Sequence, residues 1–449
     1  MDKRVILAVA GAGKTYKICN HLDENKSNLI IAFTHRNVRN IIEELVKRFG
    51  YVPKYTYIKT FDSFLLSHFI KPYFSLVKLF FKDNNLKFDG VTMKAPHQQS
   101  INGHPNPLYI KDSLIGHYLD NNLLYCDRFS KLIVKVKNKN INILDTALEG
   151  VNKFYDYLYI DEFQDFRNYD YDVLKQIIKK CNNIILVGDY YQHSVSGTNN
   201  HGKPFDGVNY ESYIKILEEQ NLLVDQTELI KSRRCSKEIC NFVSSRLNIN
   251  IESEEINQGK ISFIYDELQL NNILKDDAII KLVNRNSNSY SFKSLNWSYS
   301  KGDTIDGICI ILTEDLEDFD KEDFDVKKLS DITRNVIYVA ITRSKSDVYF
   351  VKKSLFDKIK NNYQLSIKEV NQHININPKL SSNSWQQKTS KNGNNYYEKK
   401  YKRELIRVFP SKYGKYSLAK YKENGYYEQK FDTMEAAEEF FIKKTNENK

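Results

Sequence analysis

The chain alternates between short, uninterrupted apolar runs and longer stretches in which apolar residues recur three or four positions apart. That is the pattern of strands buried on both faces and separated by helices. Arg4 to Val9, RVILAV, predicts the first buried strand; the small residues Ala10 to Gly13 let the chain turn, and a helix is predicted from about Lys14. Leu29 to Phe33, LIIAF, predicts a second strand, and Thr34 to Leu45 has the apolar spacing of a helix packing back on it, which makes a βαβ unit. Thr60 to Phe64, TFDSF, precedes another helical stretch. Third and fourth strands are predicted at Tyr157 to Ile160 and Ile184 to Val187, each running directly into polar residues. The predicted class is α/β with parallel sheets.

Three stretches break this rhythm. From about Leu66 to Val136 the alternation is interrupted, which predicts a small inserted subdomain, with the prolines of KAPHQQSINGHPNP predicting an ordered loop. Residues 371 to 395 are polar, rich in serine and asparagine, and contain Pro378, as expected of a linker. Beyond it Glu404 to Pro410, Lys415 to Lys422 and Tyr426 to Phe431 predict three short strands separated by SKYG and KENG, and Thr433 to Lys444 predicts a helix capped at Thr433.

Composition narrows the class further. With 449 residues, 41% of them hydrophobic and 13% aromatic, the chain can bury cores for two or three domains. Lys and Arg number 67 against 57 Asp and Glu, and the net charge of +10 favours a polyanionic partner, nucleic acid first. No apolar run approaches the roughly 18 residues of a membrane span, and MDKRVILAV leads straight into the first loop, so the expected location is intracellular and cytoplasmic. The six cysteines are scattered without a Cys-x-x-Cys pair, which supports neither a zinc site nor a disulfide framework.

The first loop, AVAGAGKT, has the form of a phosphate cradle. Backbone N–H groups of Ala10, Gly11, Ala12 and Gly13 and the helix N-terminus face one point, with Lys14 placed for terminal phosphates and the Thr15 hydroxyl for Mg²⁺. Ala8 stands where the outermost glycine is usual, so an ordinary small-residue helix start is the competing reading. Asp161 and Glu162 follow the third strand: one carboxylate can hold Mg²⁺ through water while the next accepts a proton from an attacking water. The fourth strand ends in Gly188, Asp189, Tyr190, Tyr191 and Gln192, at the carboxyl edge where ligands of open α/β sheets bind.

Taken in order, these stretches resemble the superfamily 1 helicases, closest to the UvrD/Rep type. AVAGAGKT resembles their phosphate loop, AFTHRN and TFDSF their early DNA-contact motifs, IDEFQD their Mg²⁺ and hydrolysis motif, and VGDYYQ their γ-phosphate sensor with Gln192. LIKSRRCSKEI, from Leu229, resembles the motif that carries an arginine to the γ-phosphate, here Arg234 with Arg233 beside it. SYSKGDTIDGICII, containing Ser298 and Gly302, resembles the motif that touches DNA and nucleotide, and VIYVAITRSKSDVYFV resembles the last motif, with Arg343. The resemblance covers about residues 4 to 352. It implies two RecA-like lobes, residues 1 to 225 and 226 to 370, that close on ATP and Mg²⁺ and move along single-stranded DNA or a forked duplex. Implied DNA contacts are Phe33, Thr34, Thr60, Tyr191 and Ser298.

Several positions depart from the family pattern. Only seven residues precede Ala8, which leaves out the usual adenine-reading glutamine segment; His35 replaces an asparagine, Asp62 a histidine, and Thr304 a ribose-binding glutamate. HSVSG after Gln192 lacks the usual base-stacking aromatic, and Tyr190 and Tyr191 either replace it or pack in the interior. Only ten residues separate LVNRNS from Ser298, leaving no room for the large second-lobe insertion of UvrD-type enzymes. Within residues 396 to 449, a run of about 45 residues resembles the small DNA-binding module of ethylene-response factors and phage integrases. Between Lys399 and Lys422 nine Lys or Arg, among them Lys402, Arg403 and Arg407, face one acid, which suits duplex phosphates. The rival readings are a translocase that strips or remodels without unwinding, and a nucleic-acid-binding protein with a vestigial ATPase.

Overall fold

The computed structural model describes residues 1–365 apart from 102, 138–141, 196–201, 206 and 298–303, and beyond 365 the main chain of five strands between Gln386 and Phe431. The chain divides into two compact units, residues 1–90 with 96–365, and residues 91–95 with 366–449. The larger unit is built on two large parallel sheets. In the first are β1 (Lys3–Ala8), β2 (Asn28–Ala32), β3 (Thr56–Thr60), β4 (Tyr157–Asp161), β5 (Ile184–Gly188) and β6 (Leu223–Leu229), in the order β6-β1-β5-β4-β2-β3. Helix α1 (Lys14–His21) follows β1 and α2 (His35–Phe49) follows β2. Val5, Leu7, Leu29 and Ile31 face one core, and Ile6, Ala8, Ile30 and Ala32 face another. Both faces of these strands are therefore dry, which is why their runs are apolar without alternation.

β6 pairs with β1, so residue 225, the expected end of the first lobe, falls inside a strand of the first sheet. The second sheet holds β7 (Ile261–Ile264), β8 (Ile279–Val283), β9 (Ser294–Asn296), β10 (Gly307–Ile311) and β11 (Val348–Val351), all parallel, in the order β7-β11-β10-β8-β9. Helices α3 (Lys237–Leu247) and α4 (Asp331–Ile341) lie on the face that meets the first lobe. Ile239, Val243, Ile308, Ile310 and Ile337 share one apolar core with Ile6 and Ala8 of the first sheet. The other face of the second sheet, with Cys309, Ile311 and Val351, has its own core.

The stretch read as an insertion opens with a π-helical turn, Leu65–Ile70, and ends in a helix, Phe129–Lys135; its Phe69, Phe74, Val77, Tyr118 and Phe129 join the first lobe's core. KAPHQQSINGHPNP contains a tight hairpin that pairs Ser100–Ile101 with His104–Pro105. Among the described residues no single helix is long and apolar enough to cross a membrane. All six cysteines are free and buried.

In the smaller unit the strands Gln386–Thr389, Asn395–Tyr401, Glu404–Pro410, Tyr416–Lys422 and Gly425–Phe431 form one antiparallel meander in chain order. Five strands stand where three were expected, and the first lies in the stretch read as a linker. The polar sequence QQKT has little strand propensity of its own and is drawn into the sheet by pairing with the tyrosine-rich NYYEKKY. The helix predicted at 433–444 lies outside the described residues.

Candidate active site

β1 ends at Ala8, and the chain turns through Gly11 and Gly13, both left-handed with φ of 74° and 85°, before α1 begins at Lys14. Gly11 is fixed twice over: a Cβ there would lie 2.7 Å from both Arg234 Cβ and Ser232 Oγ. The loop is held from the side by later chain, since Val9 N–H donates to the Leu229 carbonyl at 2.9 Å and Arg233 N–H to the Gly11 carbonyl at 3.0 Å. Ala10 N–H donates to the Tyr338 hydroxyl at 2.7 Å.

Register places three strand ends side by side. Leu7 of β1 pairs with Gly188 of β5, and Val187 of β5 with Asp161 of β4, so the loop, Asp189 and the Asp161–Glu162 pair share one edge. Asp161 is 2% exposed, and burial, with the Glu162 carboxylate beside it, raises its pKa against the pull of Lys14. Glu162 adopts a left-handed backbone at φ 54°, its N–H donates to Asp161 Oδ1 at 3.0 Å, and its carboxylate lies 3.5 Å from Lys14 Nζ. Burial alone depresses the Lys14 ammonium, but Glu162, Asp189 and Asp161 together hold its pKa above the ordinary value. Asp189, fully buried, is pushed up to about 6 by that burial although Lys14 and hydrogen bonds from Tyr338 and Gln192 oppose it. Gln164 joins the two motifs, donating to the Glu162 carboxylate and accepting from Asp189 N–H at 3.1 Å.

The second lobe contributes the cations. Arg343, just after α4, is 2% exposed, and its Nε donates to the Val339 carbonyl at 3.0 Å. Burial, with Arg234 adding to it, lowers its pKa to about 10, while Tyr338, Cys235 and Glu162 support its charge, so it stays cationic at neutral pH. Arg234 Nη1 donates to the Thr342 carbonyl at 3.0 Å, which puts it next to Arg343. Arg233 points elsewhere: its guanidinium lies 4.5 Å over the ring of Tyr16, beside Gly13. Lys14, Asp161, Glu162, Gln192, Arg234 and Arg343 are thus drawn to one cleft by five separate segments.

The expected nucleic-acid positions divide. Thr34 and Thr60 sit at the ends of the neighbouring strands β2 and β3 and cap the following helices, accepting from Asn37 N–H at 3.1 Å and Ser63 N–H at 3.2 Å. Phe33 is partly buried, its ring packed against Phe61 and Phe166. Tyr190 is 2% exposed and packs in the core; Tyr191 is half-buried, stacked on Tyr210 at 5.4 Å with the Arg334 guanidinium over it. Ser298, Gly302, Lys402 and Arg403 lie outside the described residues, and Arg407 lies on a strand opposite Glu398 and Ala419. At the carboxyl ends of β8 and β10 a cavity of about 600 Å³ is lined by Arg285, Tyr290, Trp297, Thr313 and Lys360.

The donor set suits a nucleotide and a hard cation. Gly11 and Gly13 leave the loop free of side chains, while Thr15 in the first turn of α1 and the buried Asp161 supply one hydroxyl and one carboxylate. Among the described residues no group of three or more His, Cys, Asp or Glu forms a self-sufficient metal cage. A Mg²⁺ ion held by Thr15 and Asp161 would take its remaining ligands from water and a bound nucleotide. Sequence reasoning missed Tyr338 and Gln164 as parts of this site. Tyr338 reads as one more apolar residue of VIYVAITR, five positions before Arg343, and only its contacts across the cleft reveal the hydroxyl's use.

Residues 111–352 match the family described as the viral superfamily 1 RNA helicase core domain, and residues 2–198 match the family described as an AAA domain. The first match takes in more than half of the chain. The chain belongs to the superfamily 1 helicases. It is built on two α/β lobes, each around a parallel sheet. Among curated proteins it is 28% identical over 227 residues to the RecBCD enzyme subunit RecB of Buchnera aphidicola subsp. Baizongia pistaciae (strain Bp), covering 47% of this helicase and 16% of RecB. Among solved structures it is similar to arterivirus nonstructural protein 10, a helicase in complex with DNA, at 12% identity and a TM-score of 0.38, covering 80% of this chain and 63% of that one. The helicase of PRRSV is similar at 14% identity and a TM-score of 0.38, covering 90% and 59%. The chain spans about a sixth of the RecB relative and about three fifths of each of these helicase structures.

Proposed function

We propose that this helicase is a UvrD/Rep-like motor that uses ATP and Mg²⁺ to move along single-stranded DNA. The observation that carries the reading is the convergence of Lys14, Asp161 and Glu162 from one lobe with Arg234 and Arg343 from the other on a single cleft. Phosphoryl transfer needs positioning and charge neutralisation more than covalent chemistry. In this reading the loop amides and Lys14 hold the phosphates, Thr15 and Asp161 hold Mg²⁺, Glu162 accepts the proton of the attacking water, and Gln192 and the two arginines respond to the γ-phosphate. Because the arginines belong to the second lobe, hydrolysis loosens the grip between lobes, and repeated closure moves the protein along its track. Thr34, Thr60 and Tyr191 line the track in the first lobe, and the basic strands after residue 396 tether duplex DNA.

The test is ATP hydrolysis with and without oligo(dT) and oligo(U), in Mg²⁺ and in excess EDTA, with Lys14→Ala alongside. Stimulation of at least tenfold by oligo(dT), abolished by EDTA and by Lys14→Ala, is the expected result. Wild-type protein that hydrolyses nothing under any of these conditions returns the reading to a binding protein, and preference for oligo(U) changes the track to RNA. A second reading, a translocase that does not separate strands, is favoured by the short connection between β8 and β9, where residues 284–293 hold only a 3₁₀ turn. A forked-duplex unwinding assay beside streptavidin displacement separates the two.

A further inference from the structure

Tyr338 stands where the phosphate loop, the γ-phosphate sensor motif and the second lobe meet. It lies on α4 and is fully buried. Its hydroxyl accepts from Ala10 N–H at 2.7 Å and donates to Asp189 Oδ2 at 2.9 Å. The same carboxylate accepts from Gln192 Nε2 at 2.9 Å through Oδ2 and from Tyr191 N–H at 3.0 Å through Oδ1. One phenol therefore joins the loop backbone to the residue that sets the position of both Gln192 and Tyr191. Tyr338 also touches Tyr191 directly, ring edge to face at 5.8 Å, and Arg334, one turn earlier on α4, lies 5.4 Å from the same ring. Every bond in the chain is buried or half-buried, so a shift of α4 against the loop cannot be absorbed by exchanging partners with solvent.

We propose that Tyr338 is a positioning residue that couples the nucleotide cleft to the nucleic-acid edge. Through its hydroxyl, a movement of the loop relative to α4 is passed to Asp189 and from there to Tyr191. The assignment rests on the motor reading for the identity of the two ligands, but it makes a separate claim: occupancy of the cleft changes affinity for the strand, and this change travels through one hydroxyl. Coupling of this kind is reciprocal in binding free energy, so it can be read at either ligand.

The experiment measures the affinity of fluorescein-labelled dT20 for the full chain with and without a non-hydrolysable ATP analogue and Mg²⁺. Wild type should show an affinity ratio of about tenfold between the two conditions, in the ordinary range for coupled sites. Tyr338→Phe keeps the ring and its packing and removes only the hydroxyl; its ratio should fall to within about twofold of unity while its melting temperature stays close to wild type. Tyr159→Phe, which removes another buried hydroxyl facing His21, should keep the wild-type ratio. Asp189→Asn, which retains the shape and deletes the charge that receives the hydroxyl, should lower the ratio by a second route should Tyr338→Phe fail to fold. A folded Tyr338→Phe with an undiminished ratio overturns the coupling role and leaves the motor reading intact. Wild-type protein that binds dT20 with no nucleotide effect overturns the coupling role as well, and failure to bind dT20 at all sinks both.

Discussion

Gly11 is the residue at which backbone and packing demand the same thing. A left-handed φ and two atoms 2.7 Å from a virtual Cβ leave no room for any side chain. Gly11→Ala should destabilise the protein by about 2 kcal/mol or more and impair nucleotide binding, measured by chemical denaturation and by KM for ATP. Gly13 has the same backbone requirement but nothing closer than 3.7 Å, so Gly13→Ala should be milder in stability while still distorting the loop amides proposed to hold the phosphates. The residues that carry charge were legible because the chemistry restricts their type and because each follows a recognisable strand or motif: Lys14, Asp161, Glu162 and Arg343. Tyr338 was not legible, because a phenol in an apolar helix looks like core until its hydroxyl is found 328 positions away in sequence from its partner Ala10.

At the level of elements, the threonines at the ends of β2 and β3 have a capping task and a proposed strand-binding task that can be separated. Thr34 caps α2, and losing an N-cap costs about 1 kcal/mol. Thr34→Asp preserves the cap but sets an anion at the proposed strand-binding edge, so stability should stay within about 0.5 kcal/mol of wild type while affinity for oligo(dT) falls at least about tenfold at low salt. The helix Asn168–Lys180 carries another element-level effect. Burial, with Asp62 and Asp127 adding and the nearby Ser130 hydroxyl opposing, pushes Asp170 up to about 6 from an ordinary 3.8. The folded state then binds this proton between about pH 4 and 6 when the unfolded state does not, so this group's contribution to stability falls as pH rises through that window. Asp170→Asn should flatten the decline relative to wild type, seen as a smaller difference in melting temperature between pH 4.5 and 7. Strand positions in the first lobe were readable because strands dry on both faces leave continuous apolar runs. The Gln386–Thr389 strand was not, because its sequence has no such run and exists as a strand only through its neighbour.

At the scale of the molecule, the roles proposed for the basic C-terminal strands and for the two lobes rest on different physics. Contacts to phosphates release counterions, so their contribution appears as a salt slope. Deleting residues 396–449 should weaken duplex DNA binding and reduce the slope of log affinity against log salt, while oligo(dT)-stimulated hydrolysis by the remaining chain persists; an unchanged slope rules out a tether. The sequence by itself determined the class of the fold, the glycine turn after β1, the acidic strand ends and the order of the motifs, since strand burial and turn geometry each restrict which residues can follow one another along the chain. Tertiary structure alone decided which strand ends lie side by side, which of the adjacent Arg233 and Arg234 turns toward Arg343, and that one tyrosine bridges two motifs. Those are distances between segments far apart in the chain, and no local pattern of hydrophobic and polar residues encodes them.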